Sequence, residues 1–336
     1  MAKDVTMRDI AEALGISTVS VSKALTDKEG VSAEVRQAIK KKAEEMGYRY
    51  SATKSGKDGK NFNIGVLVEE HFIGGKTSAF YFKMYQSIVM KLSKSSYSGI
   101  LEILTADMIQ SGELPQMITD SKVDGIITLG KIQSGYLRKL RDSNIPIVYL
   151  DYYDRNMEVP SVITDNVYGT YTMMNHVIGK GHKKIAFVGD VMATPSILDR
   201  YLGYMRGMIV HGLEVKSDYL ICDRDEKGTY LDLQMPKDMP TAFVCNCDEI
   251  ALVLMEKLQK LGLRIPEDVS VVGFDNSTMA EFSNPKLTTV QVDVETMTET
   301  ACDLLIRMIR GEKGIHGRKV ISTKLIIRDS VKDITQ

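Results

Sequence analysis

The sequence predicts a small all-α N-terminal domain followed by a larger α/β domain built on parallel sheets. Three short amphipathic helical patterns, separated by turn-forming residues, occupy the first fifty residues. From Phe62 onward, short apolar β-branched runs alternate with amphipathic helical stretches, which is typical of parallel strands covered on both faces. A chain of 336 residues is long enough for two or three compact domains.

The N-terminal helical patterns carry residues that begin and end helices. Thr6 is a favourable N-cap for the first pattern, and Gly15 supplies the backbone freedom of the turn that follows. Ser17 and Ser32 are placed to begin the second and third. Two short helices joined by a glycine-containing turn, with a third to complete the core, indicate a helix-turn-helix. Periodicity alone equally allows an unrelated three-helix bundle. The predicted helices cover residues 6–13, 17–25 and 33–46.

Charge is divided unevenly between the two predicted domains. Residues 1–60 carry 12 lysines and arginines against 9 aspartates and glutamates, whereas the rest of the chain carries 31 against 35. A basic segment ahead of an acidic body suits a head that binds nucleic acid, because attraction to phosphates must be local.

Composition bounds the cellular context. No apolar run approaches the ~18 residues that a transmembrane helix needs, and the first residues lack the apolar stretch of a secretory signal. The four cysteines have neither disulfide-framework nor zinc-ligand spacing, and the sequence places them at Cys222, Cys245, Cys247 and Cys302. We therefore expect a cytoplasmic protein that is not bound to a membrane.

The α/β domain is predicted from runs of almost unbroken apolar character. The predicted strands cover 64–68, 100–104, 125–129, 147–150, 184–189, 242–245, 270–274 and 324–328. Helical patterns over 81–93 and 248–261 lie between them, and Pro195 is placed at the first position of another helix. Such repeats build doubly wound sheets, whose ligands bind outside the carboxyl ends of the strands.

No arrangement of residues in the sequence indicates catalysis. The first predicted strand is not followed by a GxGxxG loop, and neither a Walker loop nor a serine nucleophile elbow occurs. The five histidines have no metal-binding spacing. We therefore expect a protein that is not an enzyme and that needs neither a cofactor nor a metal ion.

The N-terminal domain resembles a known DNA-binding module. Residues 5–11, 15–17, 19–25 and 31–32 are similar to the head-piece of the LacI/GalR family of bacterial repressors, which reads operator DNA with its second helix. The resemblance implies that Thr18 and Val19 read bases and that Lys23 reaches a base or a phosphate. It also implies contacts to the DNA backbone or its edge from Thr6, Ser17, Ser20 and Ser22.

The segment after residue 48 departs from that family. The family usually continues with Pro-Asn and a hinge helix that places a leucine in the minor groove, whereas residues 50–61 here include two glycines, which make a helix costly. We expect a flexible basic linker over 50–61 without the leucine wedge. Its phosphate-binding residues would be Lys54, Lys57 and Lys60.

The resemblance extends over nearly the whole chain. Its further landmarks lie at 64–66, 123–127, 181–186, 200–204, 265–275 and 285–290. They imply a two-lobed α/β sensing domain similar to the type I periplasmic sugar-binding proteins, with the effector in the cleft. The predicted domains are then a helix-turn-helix domain over 1–49, the linker over 50–61, and an effector-binding and dimerisation domain over 62–336. The first lobe would comprise about 62–162 and 293–320, and the second about 163–292 and 321–330.

The expected effector-binding residues follow the strands of the two lobes. The resemblance implies that Arg200 hydrogen-bonds the ligand and that Asp275 accepts from paired hydroxyls. The ordinary alternatives are a solvated helix charge for Arg200 and a turn-forming aspartate for Asp275. Phe80 or Tyr81 would stack on a flat ligand face or, equally, pack in the core.

Three further residues fall at expected cleft positions. Asp165 precedes a helical pattern, and Asp248 matches the aspartate of the family's usual Asn-Asp pair. Cys247 takes the place of the family's ligand-binding asparagine, and Asn246 lies one place early. His182 matches a turn position, where we expect it to cap or pack.

These observations together predict a DNA-binding transcription regulator, most often a repressor in this family. It would bind a near-palindromic operator as a homodimer under the control of a small molecule. A sugar or sugar derivative is the leading effector class, and a nucleoside or nucleobase is the alternative. A solute-binding protein of a transporter would need an export signal, and a nucleotide-dependent enzyme would need a phosphate loop. No leucine-heptad segment follows the terminal strand, so we expect dimers and not tetramers.

Overall fold

The computed structural model of the protein describes residues 6–25, 30–46, 48, 62–74, 78–154, 159–225 and 228–335. These residues form two units. The first comprises the residues before Asn63 together with Gln116–Val123, and the second comprises Asn63–Pro115 and the residues from Asp124 onward. The predicted linker over 50–61, with its three lysines, lies outside the described residues.

The first unit contains the three predicted N-terminal helices, α1 Met7–Leu14, α2 Thr18–Leu25 and α3 Ala33–Glu45. Thr6 begins α1 with a capping box: the Asp9 amide donates to Thr6 Oγ1 over 3.3 Å, and the Thr6 amide donates to Asp9 Oδ2 over 2.7 Å. Gly15 ends α1 with a φ of 63°, which costs glycine little. The predicted helix-turn-helix is therefore confirmed.

A small apolar core holds these three helices together. Arg36 of α3 adds a polar tie to α2, because its Nη1 donates to the carbonyl oxygens of Lys23 and Ala24, each over 3.3 Å. Both the core and this tie fix one face of α2 against its neighbours. The fully or nearly fully buried apolar residues are Ile10, Ala11, Val21, Ala24, Ile39 and Ala43.

The second unit is built on two six-stranded sheets. Its strands are β1 Asn63–Glu69, β2 Ser98–Leu104, β3 Gly125–Leu129, β4 Ile147–Leu150, β5 Ser161–Thr164, β6 Ile185–Val188, β7 Leu220–Ile221, β8 Ala242–Cys245, β9 Ser270–Asp275, β10 Thr288–Gln291, β11 Arg318–Ile321 and β12 Lys324–Ile326. The first sheet has the order β11-β5-β4-β3-β1-β2, and all its pairs are parallel. The second has the order β12-β10-β9-β8-β6-β7 and is parallel except for β12. The predicted α/β class with parallel sheets is confirmed.

The remaining helices are α4 Ser78–Lys94, α5 Ala106–Ser111, α6 Gln116–Thr119, α7 Ser134–Asp142, α8 Asn166–Gly179, α9 Pro195–Val210, α10 Asp248–Lys260, α11 Thr278–Phe282 and α12 Val294–Ile309. Helix α12 packs on α4 and on β3, β4 and β5, whereas α10 packs on β8 and β9. The chain passes between the sheets after β5, after β10 and after β11. The limits of the predicted domains and lobes stay a prediction. None of the helices in the described part of the chain is long and apolar enough to cross a membrane.

Four strands are not predicted from the sequence: β7, which has only two residues, and β5, β10 and β11, which mix polar and apolar side chains. In β10, Thr288 and Thr289 are completely buried although they are polar. Thr289 donates its hydroxyl to Asp248 Oδ1 over 2.5 Å, and Thr288 Oγ1 accepts from the Arg328 amide over 2.9 Å. These hydrogen bonds offset the desolvation of the hydroxyls, so a buried strand tolerates polar residues.

Helices α8 and α9 approach so closely that glycine is required where they meet. A Cβ on Gly203 would lie 2.4 Å from the carbonyl oxygen of Val167, and one on Gly207 would lie 2.5 Å from the Cβ of Met174. Both distances are far shorter than van der Waals contact, so a side chain at either position would push the helices apart. The contact also positions Arg200, which α9 carries.

The substitution Gly203→Ala tests this packing. We expect it to lower the free energy of unfolding by about 1–3 kcal/mol, because the added methyl group meets backbone that cannot yield without moving a helix. Gly179→Ala is the matched control, since Gly179 ends α8 and no atom lies within 4 Å of where its Cβ would be. Urea denaturation compares the two variants. Equal stabilities would contradict the packing argument.

Candidate functional site

Helix α2 divides its side chains between the core and the outside. Val21 and Ala24 are completely buried, whereas Thr18 and Lys23 are exposed and Val19 is 61% exposed. Small side chains at the start of a short helix let its backbone approach base edges in a major groove. The geometry of α2 therefore suits a helix that reads DNA.

The residues expected to contact the DNA backbone lie around the N-termini of α1 and α2. Thr6 is the N-cap of α1, and Ser17 Oγ accepts from the Ser20 amide over 3.1 Å at the start of α2. Ser20 and Ser22 are half-buried on α2. Helix N-termini present backbone amides that suit phosphate oxygens. Of the predicted DNA-binding residues, the linker residues Lys54 and Lys57 lie outside the described part of the chain.

Arg200 lies at the carboxyl ends of the strands of the second sheet, where it is 5% exposed and contacts several segments of the chain. Its Nε donates to Asn166 Oδ1 over 2.8 Å, and its Nη1 donates to the carbonyl oxygen of Asn246 over 2.6 Å. Its Nη2 lies 3.3 Å from Asp275 Oδ1, and its guanidinium carbon lies 3.9 Å from the centre of the Phe274 ring. The guanidinium therefore joins α8, α9 and the ends of β8 and β9, and the alternative of a solvated helix charge is wrong.

Asp248 and Asp275 differ in how far the protein satisfies them. Asp248 is 1% exposed, accepts from the Ser277 amide over 2.6 Å at Oδ2, and accepts from the Thr289 hydroxyl at Oδ1. It thereby ties α10 to β10 and to the loop after β9. Asp275 is the last residue of β9, and the described residues supply no hydrogen bond to its buried Oδ1.

The first sheet contributes a carboxylate that the sequence analysis does not single out. Asp151 directly follows β4, is 7% exposed, and accepts a hydrogen bond from the Tyr81 hydroxyl over 2.9 Å at Oδ2. Tyr81 packs between Phe72, with ring centres 4.7 Å apart, and Phe80, with ring centres 5.3 Å apart. Asp151 directly follows a predicted strand, as Asp275 does, so a search for carboxylates at that position would have found it.

Asn246, rather than Cys247, anchors the polar network beside Arg200. Its Nδ2 donates to the Val188 carbonyl oxygen over 3.0 Å and to Asp223 Oδ2 over 2.8 Å. Asp223 is completely buried and also accepts from Arg224 Nη2 over 2.7 Å. Burial raises the pKa of the Cys247 thiol to about 12, so this side chain stays a neutral thiol.

Two hydrogen bonds join the strand ends of the two sheets directly. Lys131 Nζ, after β3, donates to the Ala193 carbonyl oxygen, after β6, over 2.7 Å. The Tyr153 hydroxyl, after β4, donates to Asp199 Oδ1 of α9 over 3.2 Å. Asp165 is half-buried and caps α8 by accepting from a backbone amide of its first turn.

Burial raises the pKa of three carboxyls at these strand ends. The pKa of Asp275 is raised to about 8 by burial; Arg200 opposes the shift, and the carboxyls of Asp248 and Asp151 add to it. Burial raises the pKa of Asp248 to about 6. It also raises the pKa of Asp151, again against the opposing effect of Arg200. The carboxyls therefore compete for one guanidinium.

Asp151 and Asp275, whose buried Oδ1 atoms accept no hydrogen bond from the described residues, stand on strained backbone. Asp151 has a φ of 59°, Asp275 a φ of 113°, and Asn276 a φ of 51°. Such values are uncommon for residues that have a Cβ, and they persist where the surrounding structure imposes them, often at ligand sites. The fold therefore imposes the directions of both side chains.

No metal centre accompanies this network: within the described ranges, no group of His, Cys, Asp and Glu is arranged to hold a metal ion. His182 is 2% exposed; its Nδ1 lies 3.0 Å from Thr241 Oγ1, and its Nε2 lies 3.0 Å from the Lys332 carbonyl oxygen. The packing role expected of His182 is confirmed.

The variant Asp275→Asn tests the raised pKa of Asp275. Between its ordinary pKa of ~4 and about 8, this aspartate is protonated in the folded chain and ionised in the unfolded chain. Its contribution to stability therefore falls as the pH rises through that range. We expect Asp275→Asn to gain stability relative to the parent between about pH 5 and 8. Urea denaturation across that range measures the difference, with the exposed Asp107→Asn as control. An advantage that is constant or shrinks with pH would contradict the assignment.

Two family descriptions match the chain. "Bacterial regulatory proteins, lacI family" matches residues 6–51, and "Periplasmic binding protein-like domain" matches residues 174–331. The chain is 28% identical to the HTH-type transcriptional repressor PurR of Vibrio vulnificus (strain CMCP6), over 98% of this chain and 99% of that protein.

Solved structures share the fold. The complex of the transcriptional regulator CelR with cellobiose has a TM-score of 0.70 and 23% identity, covering 97% of this chain and 99% of that one. The Lac repressor dimer bound to operator and the anti-inducer ONPF has a TM-score of 0.68 and 21% identity, covering 98% and 100%. The chain therefore combines a lacI-family helix-turn-helix domain with a periplasmic binding protein-like domain, and the relatives that it matches over nearly their whole length are transcriptional repressors and not enzymes.

Proposed function

We propose that this protein represses transcription in the cytoplasm as a homodimer on a near-palindromic operator, and that a small molecule in the cleft between its lobes controls its DNA affinity. The observation that carries the proposal is the exposure of Thr18, Val19 and Lys23 on α2, within a head that matches the lacI family over residues 6–51. Two such heads, related by a two-fold axis, would read two half-sites.

Within each head, Thr18 and Val19 read bases, because they lie at the start of α2 and their side chains are exposed. Val19 offers an apolar contact that suits a thymine methyl group, and Thr18 offers a hydroxyl. Lys23, one turn later on the exposed side, reaches a base or a phosphate. Thr6, Ser17, Ser20 and Ser22 hold the helix on the DNA backbone, and the linker lysines Lys54 and Lys57 add phosphate contacts.

The double variant Thr18→Gln/Val19→Asn tests base reading. We expect its preferred operator sequence to change, since the new side chains present a different pattern of donors and acceptors. Selection from a random DNA library measures the consensus. Glu34→Ala/Gln37→Ala, on the exposed side of α3, is the control with an unchanged consensus. Recovery of the parental consensus by the Thr18/Val19 variant would sink the assignment.

The effector class that the cleft supports best is a sugar or sugar derivative. Asp275 and Asp151 offer acceptors for ligand hydroxyls from the two sheets, and Arg200 holds Asp275 in place. CelR, to which the chain is similar, was solved with cellobiose. A nucleoside or nucleobase has less support, because Tyr81 is nearly buried and its hydroxyl is used on Asp151.

The other predicted effector residues act around these acceptors. Phe80 packs edge-on against Tyr81 and belongs to the aromatic wall of the first lobe. Cys247 and Asp248 line the second lobe's side of the cleft beside Asp275. Asp165 caps α8, the helix that follows the passage of the chain from the first sheet toward the second. We place the ligand against all of these groups.

Control of DNA binding would act through the contacts between the lobes. The hydrogen bonds from Lys131 to Ala193 and from Tyr153 to Asp199 hold one arrangement of the strand ends. An effector that binds a different arrangement more tightly shifts the population toward it, by no more than its differential affinity.

Dimer formation is supported by large apolar side chains that stay exposed. Met279 and Phe282 on α11 are 63% and 76% exposed, and Phe82 and Met90 on α4 are 61% and 59% exposed. Exposed apolar groups of this size favour an interface between subunits. The similar Lac repressor structure is a dimer bound to its operator.

The variant Phe282→Asp tests this interface. We expect monomers at micromolar concentration and a loss of operator affinity, because a charge replaces an apolar contact at the dimer surface. Leu261→Asp is the control, since Leu261 is also exposed, at 56%, but lies at the end of α10. Light scattering after size exclusion measures the mass. Dimers of Phe282→Asp, or monomers of both variants, would refute the assignment of α11 to the interface.

A further inference from the structure

Two buried carboxylate oxygens at the strand ends have no hydrogen-bond donor among the described residues. They are Asp151 Oδ1, at the end of the first sheet, and Asp275 Oδ1, at the end of the second; Asp275 Oδ1 lies 3.3 Å from Arg200 Nη2, an ion-pair contact without hydrogen-bond geometry. Asp151 is 7% exposed, and the side chain of Asp275 is 15% exposed. A buried acceptor without a donor is unfavourable, so each oxygen marks a place where a donor is missing.

The neighbouring donors are already used within the protein. The three nitrogens of Arg200 face Asn166, the Asn246 carbonyl oxygen and Asp275, and one of its faces lies against Phe274. The Tyr81 hydroxyl donates to the other oxygen of Asp151. A ligand with hydrogen-bond donors would supply what these two oxygens lack.

The charge at the strand ends is also unbalanced. Asp151, Asp248 and Asp275 all interact electrostatically with Arg200. The other guanidinium close by, that of Arg224, is paired with the buried Asp223 over 2.7 Å. Three carboxyls thus share the positive charge of Arg200, burial raises the pKa of each, and a second cation bound beside them would restore their ionised form.

We propose that the effector of this protein carries a protonated primary amine that binds between Asp151 and Asp275; the proposal rests on the effector cleft of the proposed function and narrows its ligand class to hydroxylated amines such as amino sugars. An ammonium group has three donors and one positive charge, so it can donate to both oxygens and stabilise the ionised form of both carboxyls. A hydroxyl supplies a donor but no charge. A carboxylate or phosphate brings neither and is repelled.

Matched ligand sets test the charge preference on the full-length protein. Each set contains an amino sugar, its uncharged parent, its N-acetyl derivative and the corresponding uronic acid, for D-glucose and for D-galactose. We expect glucosamine or galactosamine to bind at least about tenfold more tightly in calorimetry than the other members of its set. Equal or tighter binding of an uncharged or acidic member, or no binding of either amine, would overturn the proposal.

Carboxylate variants locate the preference within the cleft. We expect Asp151→Asn and Asp275→Asn each to reduce the ratio of amine to parent-sugar affinity at least about tenfold, because each removes a carboxyl that would ionise beside the ammonium and places an amide donor where the ammonium would donate. Asp107→Asn, an exposed residue of α5, controls for the change of one charge. An unchanged ratio in both cleft variants would place the amine elsewhere and overturn the proposal.

Operator binding separates this proposal from the proposed function. If an uncharged sugar alters the affinity for the operator selected from the random library, and the amines do not, the sugar-controlled repressor stands and the amine proposal falls. If selection returns no operator at all, the proposed function falls whatever the cleft binds.

Discussion

The guanidinium of Arg200 connects segments of the second sheet that the chain keeps far apart. Through Asn166 it reaches the start of α8, through the Asn246 carbonyl the end of β8, and through Asp275 the end of β9. Asn246 continues the network to β6 and to Asp223. Arg200 reaches this position because Gly203 lets α9 lie directly against α8. Loss of the guanidinium would leave buried acceptors unpaired and buried carboxyls without an opposite charge, which is far costlier than loss of a surface ion pair.

The carboxyls around Arg200 differ in whether the protein itself supplies hydrogen-bond donors to both of their oxygens, and this difference indicates which of them serve the fold and which serve a ligand. Asp248 has an amide and a hydroxyl donor, both supplied by the protein, so its burial stabilises the junction of α10, β9 and β10. Asp151 and Asp275 each keep a buried oxygen without a protein donor, on backbone of positive φ. A structure that holds such groups accepts a cost in stability, and binding sites commonly show this exchange of stability for function. Asp248, whose oxygens already accept hydrogen bonds within the protein, can thus touch a ligand only as part of the cleft wall, whereas Asp151 and Asp275 each keep an oxygen to accept from it.

Much of the fold could be predicted from local patterns, and the exceptions have a common cause. Helices α1 to α3 and the apolar strands such as β3 and β4 follow from residues close together in the chain. Strand β10 was not predicted, because a search for apolar runs passes over Thr288 and Thr289. These two polar residues are buried only because distant segments supply their hydrogen-bond partners. In the site, Arg200 and Asp275 were predicted, but the predicted contact of Arg200 with ligand gave no sign that its nitrogens are engaged within the protein. Asp151 was missed, although it follows a predicted strand just as Asp275 does.

The sequence by itself determined the class of this protein, because the signals for α2, for its caps and for the alternation of strands and helices act within a few residues of each other. It also determined which face of α2 is available, since Val21 and Ala24 can only turn inward together. Only the tertiary structure decided the character of the cleft. The partners of Arg200 lie 34 and 46 residues away in the chain, and Tyr81 lies 70 residues from Asp151. The burial, the hydrogen bonds and the pKa of a carboxyl depend on which groups from distant parts of the chain lie beside it in the folded protein. A local sequence pattern carries no information about those groups.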